Sequence, residues 1–267
     1  MTKIHNKNLT DSLFWENFWK STKLPCTIDY EFSFDRCLSK TLLHRIGEVY
    51  KVEDCPQPEK RISILEVGAA PGKWLSIFSQ DFFTVSGIEY SKAGMIALQK
   101  NLEMLLIQPK DLIFGDFFAI EPQPIHDIVM SLGFIEHFDD PIMVVERHLK
   151  WLRPNGLLII GVPNFTGVHG FFQKYLDVDI LNAHNVSIMN KEWFENIQEK
   201  LKIQKHSLDF IGSFEPSLPL TYRNTPLRNF PIKTFLRIAS HIRRWKYLDN
   251  FNSPLISSYI LGVYKKQ

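Results

Sequence analysis

From residue 62 onward, short apolar runs alternate with longer amphipathic segments, and this alternation constrains the fold more than any other feature. Five runs predict strands, namely ISILEV (62–67), TVSGIE (84–89), DLIF (111–114), DIVMSL (127–132) and LLIIGV (157–162). Strands separated by helical segments form βαβ units and a parallel sheet. Because the runs are almost continuously apolar, we expect helices on both faces of that sheet.

The segments between the strands carry helix signals. Ser91 is placed to cap one helix, and Asp140 followed by Pro141 predicts the start of another. The apolar spacing extends this second helix through Leu152, with a stop at RPNG (153–156). A helix near 190–201 and two strands, near 203–211 and 257–264, complete the expected elements.

Composition shifts divide the chain into a helical N-terminal cap, residues 1–58, and a core, residues 59–267. The proline-containing stretch 55–60 is the expected linker. Within the core, we expect insertions at about 164–190 and 212–252, where the strand and helix rhythm is lost.

Charge and cysteine content narrow the function classes. The formal net charge is +2, so no strong overall field draws the chain to nucleic acid or to an anionic membrane. No apolar run approaches the ~20 residues that span a bilayer, and the polar start is unlike a secretory signal. Cys26, Cys37 and Cys55 lack CxxC spacing, which favours reduced thiols, a cytoplasmic location and no metal. The oligomeric state stays open.

The first predicted strand runs directly into a glycine-containing turn, ILEVGAAPGKW (64–74). A phosphate-binding P-loop needs four residues between its glycines and then Lys with Ser or Thr. Here only three residues separate Gly68 from Gly72, and Trp74 follows Lys73. A dinucleotide fingerprint is also a poor match, because Ala70 and Lys73 stand where glycines are needed.

The acid and the two glycines of this turn resemble motif I of the class I S-adenosylmethionine-dependent methyltransferases. The resemblance continues in order through about residue 163, with motif IV in DIVMSLGFIEHF (127–138) and a later match in HLKWLRPNGLLIIGVPNF (148–165). It implies a Rossmann-like α/β fold, with seven strands in the order 3-2-1-4-5-7-6 and the seventh antiparallel.

The same resemblance implies a set of cofactor-binding residues. Glu66 is expected to meet the amino group of S-adenosylmethionine, and Glu89 both ribose hydroxyls. Asp116 and Tyr90 are expected at the adenine, and the product is S-adenosylhomocysteine. The full set is Glu66, Gly68, Ala70, Gly72, Glu89, Tyr90, Asp116, Phe117, Ser131 and Gly133.

Motif IV bears on the acceptor. It lacks the NPPY or DPPY segment of base amine methyltransferases, and all three cysteines precede motif I, unlike in cytosine-C5 enzymes. GAAPGKW also resembles ribose 2′-O-methyltransferases, but their motif IV aspartate is absent, since Ser131 and Gly133 stand there. LGFIEHF is most similar to the small-molecule, ubiquinone-biosynthesis-like branch, which implies methyl transfer to a nucleophilic oxygen or nitrogen of a small molecule, with sulfur and carbon as alternatives.

Two histidines are candidate general bases, His137 in motif IV and His184 in the first insertion. Arg36 is a candidate for pairing with a ligand carboxylate. Aromatic residues are expected to close the pocket: Trp15, Trp19, Tyr30, Phe165, Phe171, Phe172 and Tyr175. Methylation of a protein or RNA group, or cofactor binding without activity, are alternatives that the sequence leaves open.

Overall fold

The computed structural model describes residues 9–50, 61–78, 80–216 and 229–267. Within these ranges, seven strands form one sheet in the order β3-β2-β1-β4-β5-β7-β6. The strands are β1 (Ile62–Val67), β2 (Phe83–Glu89), β3 (Asp111–Phe114), β4 (His126–Leu132), β5 (Leu152–Pro163), β6 (Gln204–Ile211) and β7 (Tyr259–Lys265). The first five pair in parallel, and β7 lies antiparallel between β5 and β6. The predicted fold class and strand order are confirmed.

Helices cover both faces of the sheet. The α-helices of the described ranges are α1 (Ser12–Lys20), α2 (Ser33–Tyr50), α3 (Lys92–Met104), α4 (Pro141–Leu149), α5 (Val168–Leu176), α6 (Val178–Asn182), α7 (Lys191–Leu201) and α8 (Phe230–Ala239). Successive residues of β1 enter different cores: Ile64 packs in a cluster with Leu38 of α2, and Leu65 in one with Phe194 of α7. Both faces of the sheet are therefore buried, which explains the continuous apolar runs.

The predicted helix starts at Ser91 and Asp140 are confirmed. The Ser91 hydroxyl accepts a hydrogen bond from the Gly94 amide at 3.0 Å. The Asp140 carboxylate accepts one from the Met143 amide at 3.2 Å, with Pro141 in the first turn. Each side chain satisfies an amide that the first helical turn leaves without a partner.

The predicted end of α4 is wrong. The helix stops at Leu149, and Leu152 begins β5 instead of ending the helix. In the pairing with β4, Leu152 lies opposite His126 and Leu157 opposite Ile128, so residues 153–156 bulge from the strand. Asn155 in this bulge has a φ of 62°. The turn-forming letters RPNG mark an irregularity within a strand rather than a helix stop.

The two predicted insertions contain helices where they are described. Residues 164–190 form α5, α6 and a 3-10 helix at Val186–Ile188, whereas the sequence predicts no helix in this region. The second insertion contributes α8, and its residues 217–228 lie outside the described ranges. The predicted boundary at residue 58 lies within 51–60, which is also outside them. Among the described helices, none is both long and apolar enough to span a bilayer.

Contacts between side chains join the N-terminal helices to the second insertion. The Arg36 guanidinium of α2 binds the Asp249 carboxylate through Nε at 2.7 Å and Nη2 at 2.6 Å. Arg36 is buried, so this bidentate pair is shielded from solvent. The structure thus gives Arg36 a partner within the chain, and not the ligand carboxylate that the sequence suggested.

We predict opposite effects on stability for alanine substitutions at two glycines. Gly72 has a φ of 85°, and an added Cβ would lie 2.8 Å from Leu98 Cδ1, so Gly72→Ala should lower the free energy of unfolding by ~1–3 kcal/mol. Gly47 lies inside α2 with open space around its Cα, so Gly47→Ala should raise it by ~0.5–1 kcal/mol. Urea unfolding measures both, and equal effects would contradict the assigned backbone conformations.

Candidate active site

A cavity of about 840 Å³ opens at the carboxyl ends of the parallel strands. Gly68 follows β1, Glu89 ends β2, Asp116 follows β3 and Gly133 follows β4, and all four line this cavity. Ligands of open α/β sheets bind at this edge, where neighbouring connections leave on opposite faces. The cavity is therefore the candidate active site.

Most of the residues that the sequence singled out surround this cavity. Of the twelve predicted cofactor-binding and general-base residues, nine line it: Gly68, Ala70, Glu89, Tyr90, Asp116, Phe117, Gly133, His137 and His184. Glu66, Gly72 and Ser131 do not line it; Glu66 and Ser131 are buried within β1 and β4, and Gly72 packs against α3. The structure therefore brings the set together at one edge of the sheet, with three members behind the wall.

The turn after β1 depends on its glycines for close packing. Gly68 has a φ of 71°, and a Cβ there would lie 2.8 Å from Cδ2 of Phe134 in the cavity wall. The Gly72 amide donates to the Ala69 carbonyl at 2.6 Å, which closes the turn. Gly68 lets the Phe134 ring pack against the turn, while Gly72 lets the turn pack on α3.

The Glu89 carboxylate connects the turn after β1 to the start of α3. Its Oε2 accepts a hydrogen bond from the Ala70 amide at 3.3 Å, and its Oε1 accepts one from the Ser91 amide at 2.8 Å. Burial raises the pKa of Glu89, while these amide hydrogen bonds act in the opposite direction. The carboxylate is thus held in a fixed position at the cavity wall.

Two buried polar side chains behind the wall have no partner among the described residues. Glu66 is 3% exposed, and its Oε2 makes no hydrogen bond; the Ser131 hydroxyl on the adjacent strand β4 makes none either. Burial raises the pKa of Glu66 well above its usual value, and the nearby Glu89 raises it further. A cationic or hydrogen-donating group would satisfy atoms that are costly to leave unpaired.

A second group of polar side chains lines the cavity after β4. It comprises Glu136 and His137, in a 3-10 helix at Ile135–His137, and His184 from the first insertion. His137 Nε2 lies 3.9 Å from Glu136 Oε1, and the two histidine ring centroids are 4.5 Å apart. Burial raises the pKa of Glu136 to about 8 and lowers that of His137 to about 3, where the adjacent His184 adds to the effect.

Hydrogen bonds of backbone groups and of side chains hold His184 beside Glu136 and His137. The Asn185 amide donates to the Glu136 carbonyl at 2.6 Å, and Asn185 Nδ2 donates to the Phe138 carbonyl at 3.3 Å. His137 Nδ1 lies 2.9 Å from the Ala183 carbonyl oxygen. The first insertion is therefore attached to the segment after β4 on both sides of His184.

Helix α1 covers the cavity with aromatic side chains. The Trp15 ring meets the His137 ring edge-on with centroids 5.0 Å apart, and Trp19 lines the wall beside it. Glu16, on the same helix, accepts hydrogen bonds from the Ala93 amide and the Ser91 hydroxyl, both at 3.1 Å. Its carboxylate thus holds α1 over the positively polarised N-terminus of α3.

The other aromatic residues expected in the pocket lie elsewhere. Phe171, Phe172 and Tyr175 of α5 and Tyr30 are absent from this cavity wall, and all except Phe172 are largely exposed. Phe165 packs edge-on against the His184 ring from behind. Because α5 is amphipathic, its aromatic spacing alone could not decide which face meets the cavity.

The structure adds wall residues that the sequence analysis did not select. Glu136 directly precedes His137 in motif IV, so its place in the sequence could have indicated that it lines the site. Tyr259 reaches the cavity from β7, which is remote in sequence from the other motifs and gave no signal. Trp74, directly after the glycine turn, also lines the wall.

Comparisons with known proteins agree with this arrangement. A family model described as "Methyltransferase domain" matches residues 35–210, more than half of the chain. The chain is 24% identical over 134 residues to the ubiquinone biosynthesis O-methyltransferase of Rickettsia conorii, covering 48% of this chain and 44% of that protein. A protein of Papaver bracteatum named as a probable (S)-tetrahydroprotoberberine N-methyltransferase is 23% identical over 119 residues, or 44% of this chain and 33% of the relative. The matches thus span less than half the length of either relative.

A solved structure shares the fold over nearly the whole chain. It is an S-adenosylmethionine-dependent methyltransferase from Archaeoglobus fulgidus, with a TM-score of 0.53 and 15% sequence identity. The superposition covers 96% of this chain and all of that one.

We predict that Glu66→Gln changes the pH dependence of stability. The pKa of Glu66 is raised on folding, so its contribution is complete below its ordinary pKa near 4.5 and is lost as the pH rises. In the ligand-free protein, the free energy of unfolding of the variant should therefore gain on that of the parent between pH 5 and pH 8, by at most ~1.4 kcal/mol per pH unit.

Urea unfolding at several pH values measures this difference. Glu103→Gln, at an exposed position of α3, is the matched control and should leave the profile unchanged. Parallel profiles for the parent and Glu66→Gln would contradict the buried, unpaired state of Glu66.

Proposed function

The chain belongs to the methyltransferase domain family, and on this premise we propose that it transfers a methyl group from S-adenosylmethionine to a nucleophilic oxygen or nitrogen of a small molecule. The observation that carries the proposal is the cavity at the strand ends, with the unsatisfied Glu66 carboxyl and Ser131 hydroxyl behind one part of its wall and histidines in another. The named relatives from Rickettsia and Papaver, which are an O- and an N-methyltransferase, support it.

The residues present fit the amino-acid end of this cofactor. Glu66 Oε2 and the Ser131 hydroxyl are buried without partners at the ends of adjacent strands, and Gly68 in the turn after β1 lines the cavity. We infer that Glu66 holds the cofactor's amino group, directly or through water. An ammonium would stabilise the ionised form of a carboxyl that burial otherwise keeps protonated.

The remaining wall residues suit the nucleoside end. Glu89 presents a fixed carboxylate that can accept hydrogen bonds from two ribose hydroxyls. Asp116, whose Oδ1 accepts the Phe118 amide at 2.9 Å, keeps Oδ2 for the adenine amino group. Tyr90 and Phe117 supply flat apolar surface for the ring.

When bound, S-adenosylmethionine supplies a methyl group on a positively charged sulfur, which is open to in-line attack. The chain's part is to align the acceptor, exclude water and receive a proton. His137 and His184 are our candidates for the proton acceptor, because both line the cavity and both Nδ1 atoms are already bound to carbonyls. Their Nε2 atoms are then the free basic positions.

The closure of the cavity supports a small acceptor. Helix α1 and the first insertion cover it, Glu136 and His137 are buried, and His184 is half-buried. A volume of about 840 Å³ lies within the ~300–1,000 Å³ typical of small-ligand sites. A protein or RNA group would need an opening through these elements.

We predict that Glu89→Ala weakens the binding of S-adenosylmethionine at least ~10-fold. The variant loses a charged acceptor whose hydrogen bonds contribute about 1.5–3 kcal/mol each, and the anchor of the turn after β1. Calorimetric titration measures the affinity, with Glu103→Ala on exposed α3 as the control that should bind like the parent.

Turnover is tested in the same preparations. The parent, incubated with S-adenosylmethionine and a pool of low-mass metabolites, should release S-adenosylhomocysteine, and Glu89→Ala should release far less. Unchanged affinity in Glu89→Ala would refute the site. Tight binding without turnover on any low-mass pool would refute methyl transfer to a small molecule.

A further inference from the structure

Three side chains converge in the cavity wall, although a general base would need only one of them. They are Glu136, His137 and His184. One possible ligand atom of each lies within 4.8 Å of those of the other two. All three side chains line the cavity, so their shared space is open to a ligand.

The hydrogen bonds of the two histidines fix which ring nitrogen carries the hydrogen. Nδ1 of His137 lies 2.9 Å from the Ala183 carbonyl oxygen, and Nδ1 of His184 lies 2.6 Å from the Ile180 carbonyl oxygen. A carbonyl oxygen can only accept a hydrogen bond, so each Nδ1 carries the hydrogen. In the neutral rings, Nε2 is then a bare lone pair, as in histidines that bind metals.

Glu136 adds a carboxylate that has no partner for one of its oxygens. The residue is 1% exposed, and its Oε2 makes no hydrogen bond with any described residue. The 3.9 Å between Oε1 and His137 Nε2 is too long for a hydrogen bond, even if the carboxyl carried a proton.

These three side chains thus converge without a hydrogen bond between Glu136 and His137 and without a partner for Glu136 Oε2. A cluster that served only packing would satisfy such buried groups internally, because each unsatisfied acceptor costs free energy. Two neutral imidazoles and a carboxylate instead match the N and O ligands of a divalent transition metal.

We propose that Glu136, His137 and His184 bind one divalent transition-metal ion, with zinc as the reference ion. Ligand distances of ~2.0–2.2 Å require the three side chains to contract slightly around the ion. The Ala183 and Ile180 carbonyls act as the outer partners that orient the two imidazoles. The cavity supplies the remaining coordination position, as in catalytic rather than structural zinc sites.

The role of this ion rests on the proposed function. An acceptor hydroxyl oxygen held at the open position is polarised and more easily releases its proton to solvent, and in this arrangement His137 and His184 bind the ion and are not the proton acceptors. The new bond joins that oxygen to the methyl carbon, while the bond from the methyl carbon to sulfur breaks and leaves its electron pair on sulfur. The acceptor class is therefore a molecule with a hydroxyl that can coordinate the ion.

The test is metal binding by the full, untagged chain. After dialysis against a chelator and its removal, the chain is titrated with Zn²⁺ by calorimetry and with Co²⁺ by absorption spectroscopy. We expect one site per chain. Glu136→Gln and His184→Gln should each weaken zinc at least ~100-fold, more than the 10–100-fold typical of losing an outer partner.

His206→Gln is the matched control. Its ring binds Glu48 at 3.0 Å outside the cavity, so the variant should bind zinc like the parent. Thermal unfolding of each variant shows whether it is folded, and the two cluster variants provide independent tests. Absent zinc binding, equal affinity in folded cluster variants, or thiolate bands in the Co²⁺ spectrum would each overturn the proposal.

Titration with S-adenosylmethionine separates this inference from the proposed function. A chain that binds the cofactor but no zinc refutes the metal site alone. A chain that binds zinc in the cluster but not the cofactor refutes the proposed function and leaves the metal site standing.

Discussion

Three glutamate carboxyls are buried around one cavity without an arginine or lysine partner anywhere in the described ranges, and this imbalance underlies the whole account. Glu66, Glu89 and Glu136 are each 5% exposed or less. Burial raises the pKa of all three. Burying carboxyls without a cationic side chain nearby costs free energy. A site that contains three of them is therefore suited to a ligand that carries positive charge and hydrogen-bond donors. A sulfonium cofactor with an ammonium group and ribose hydroxyls has both.

The sheet and its additions hold these acids in place. Parallel β1 and β2 bring Glu66 and Glu89 to the same edge, and the connection after β4 brings Glu136 beside them. Two elements outside the sheet then enclose the site: α1 spans it from above, and the first insertion supplies His184. In the proposed function, the core therefore holds the cofactor, and these additions contact the acceptor.

Sequence patterns predicted the sheet well because its strands are buried on both faces and its helices have side-chain caps. Ser91 and Asp140 marked real helix starts, since local hydrogen bonds decide them. The predicted helix stop at residues 153–156 is wrong, because pairing of β5 with β4 places these turn-forming residues in a bulge within the strand.

The acceptor end was less predictable for a physical reason. The meeting of His137 with His184 depends on tertiary hydrogen bonds over 46 residues, and Tyr259 arrives from the last strand. The α5 aromatics also do not line the cavity, because the buried face of that helix carries His169, Gln173 and Leu176, while Phe171 and Tyr175 are exposed. Motifs that act through the backbone of one strand end are visible in sequence, whereas clusters assembled from distant loops are not.

A crystal structure of the chain with S-adenosylhomocysteine tests the central claim most directly. The account predicts that the amino group lies near Glu66, that the ribose hydroxyls contact Glu89, and that the sulfur faces the part of the cavity walled by Glu136, His137 and His184. A ligand bound elsewhere, or bound here with its sulfur turned away from that cluster, would contradict it.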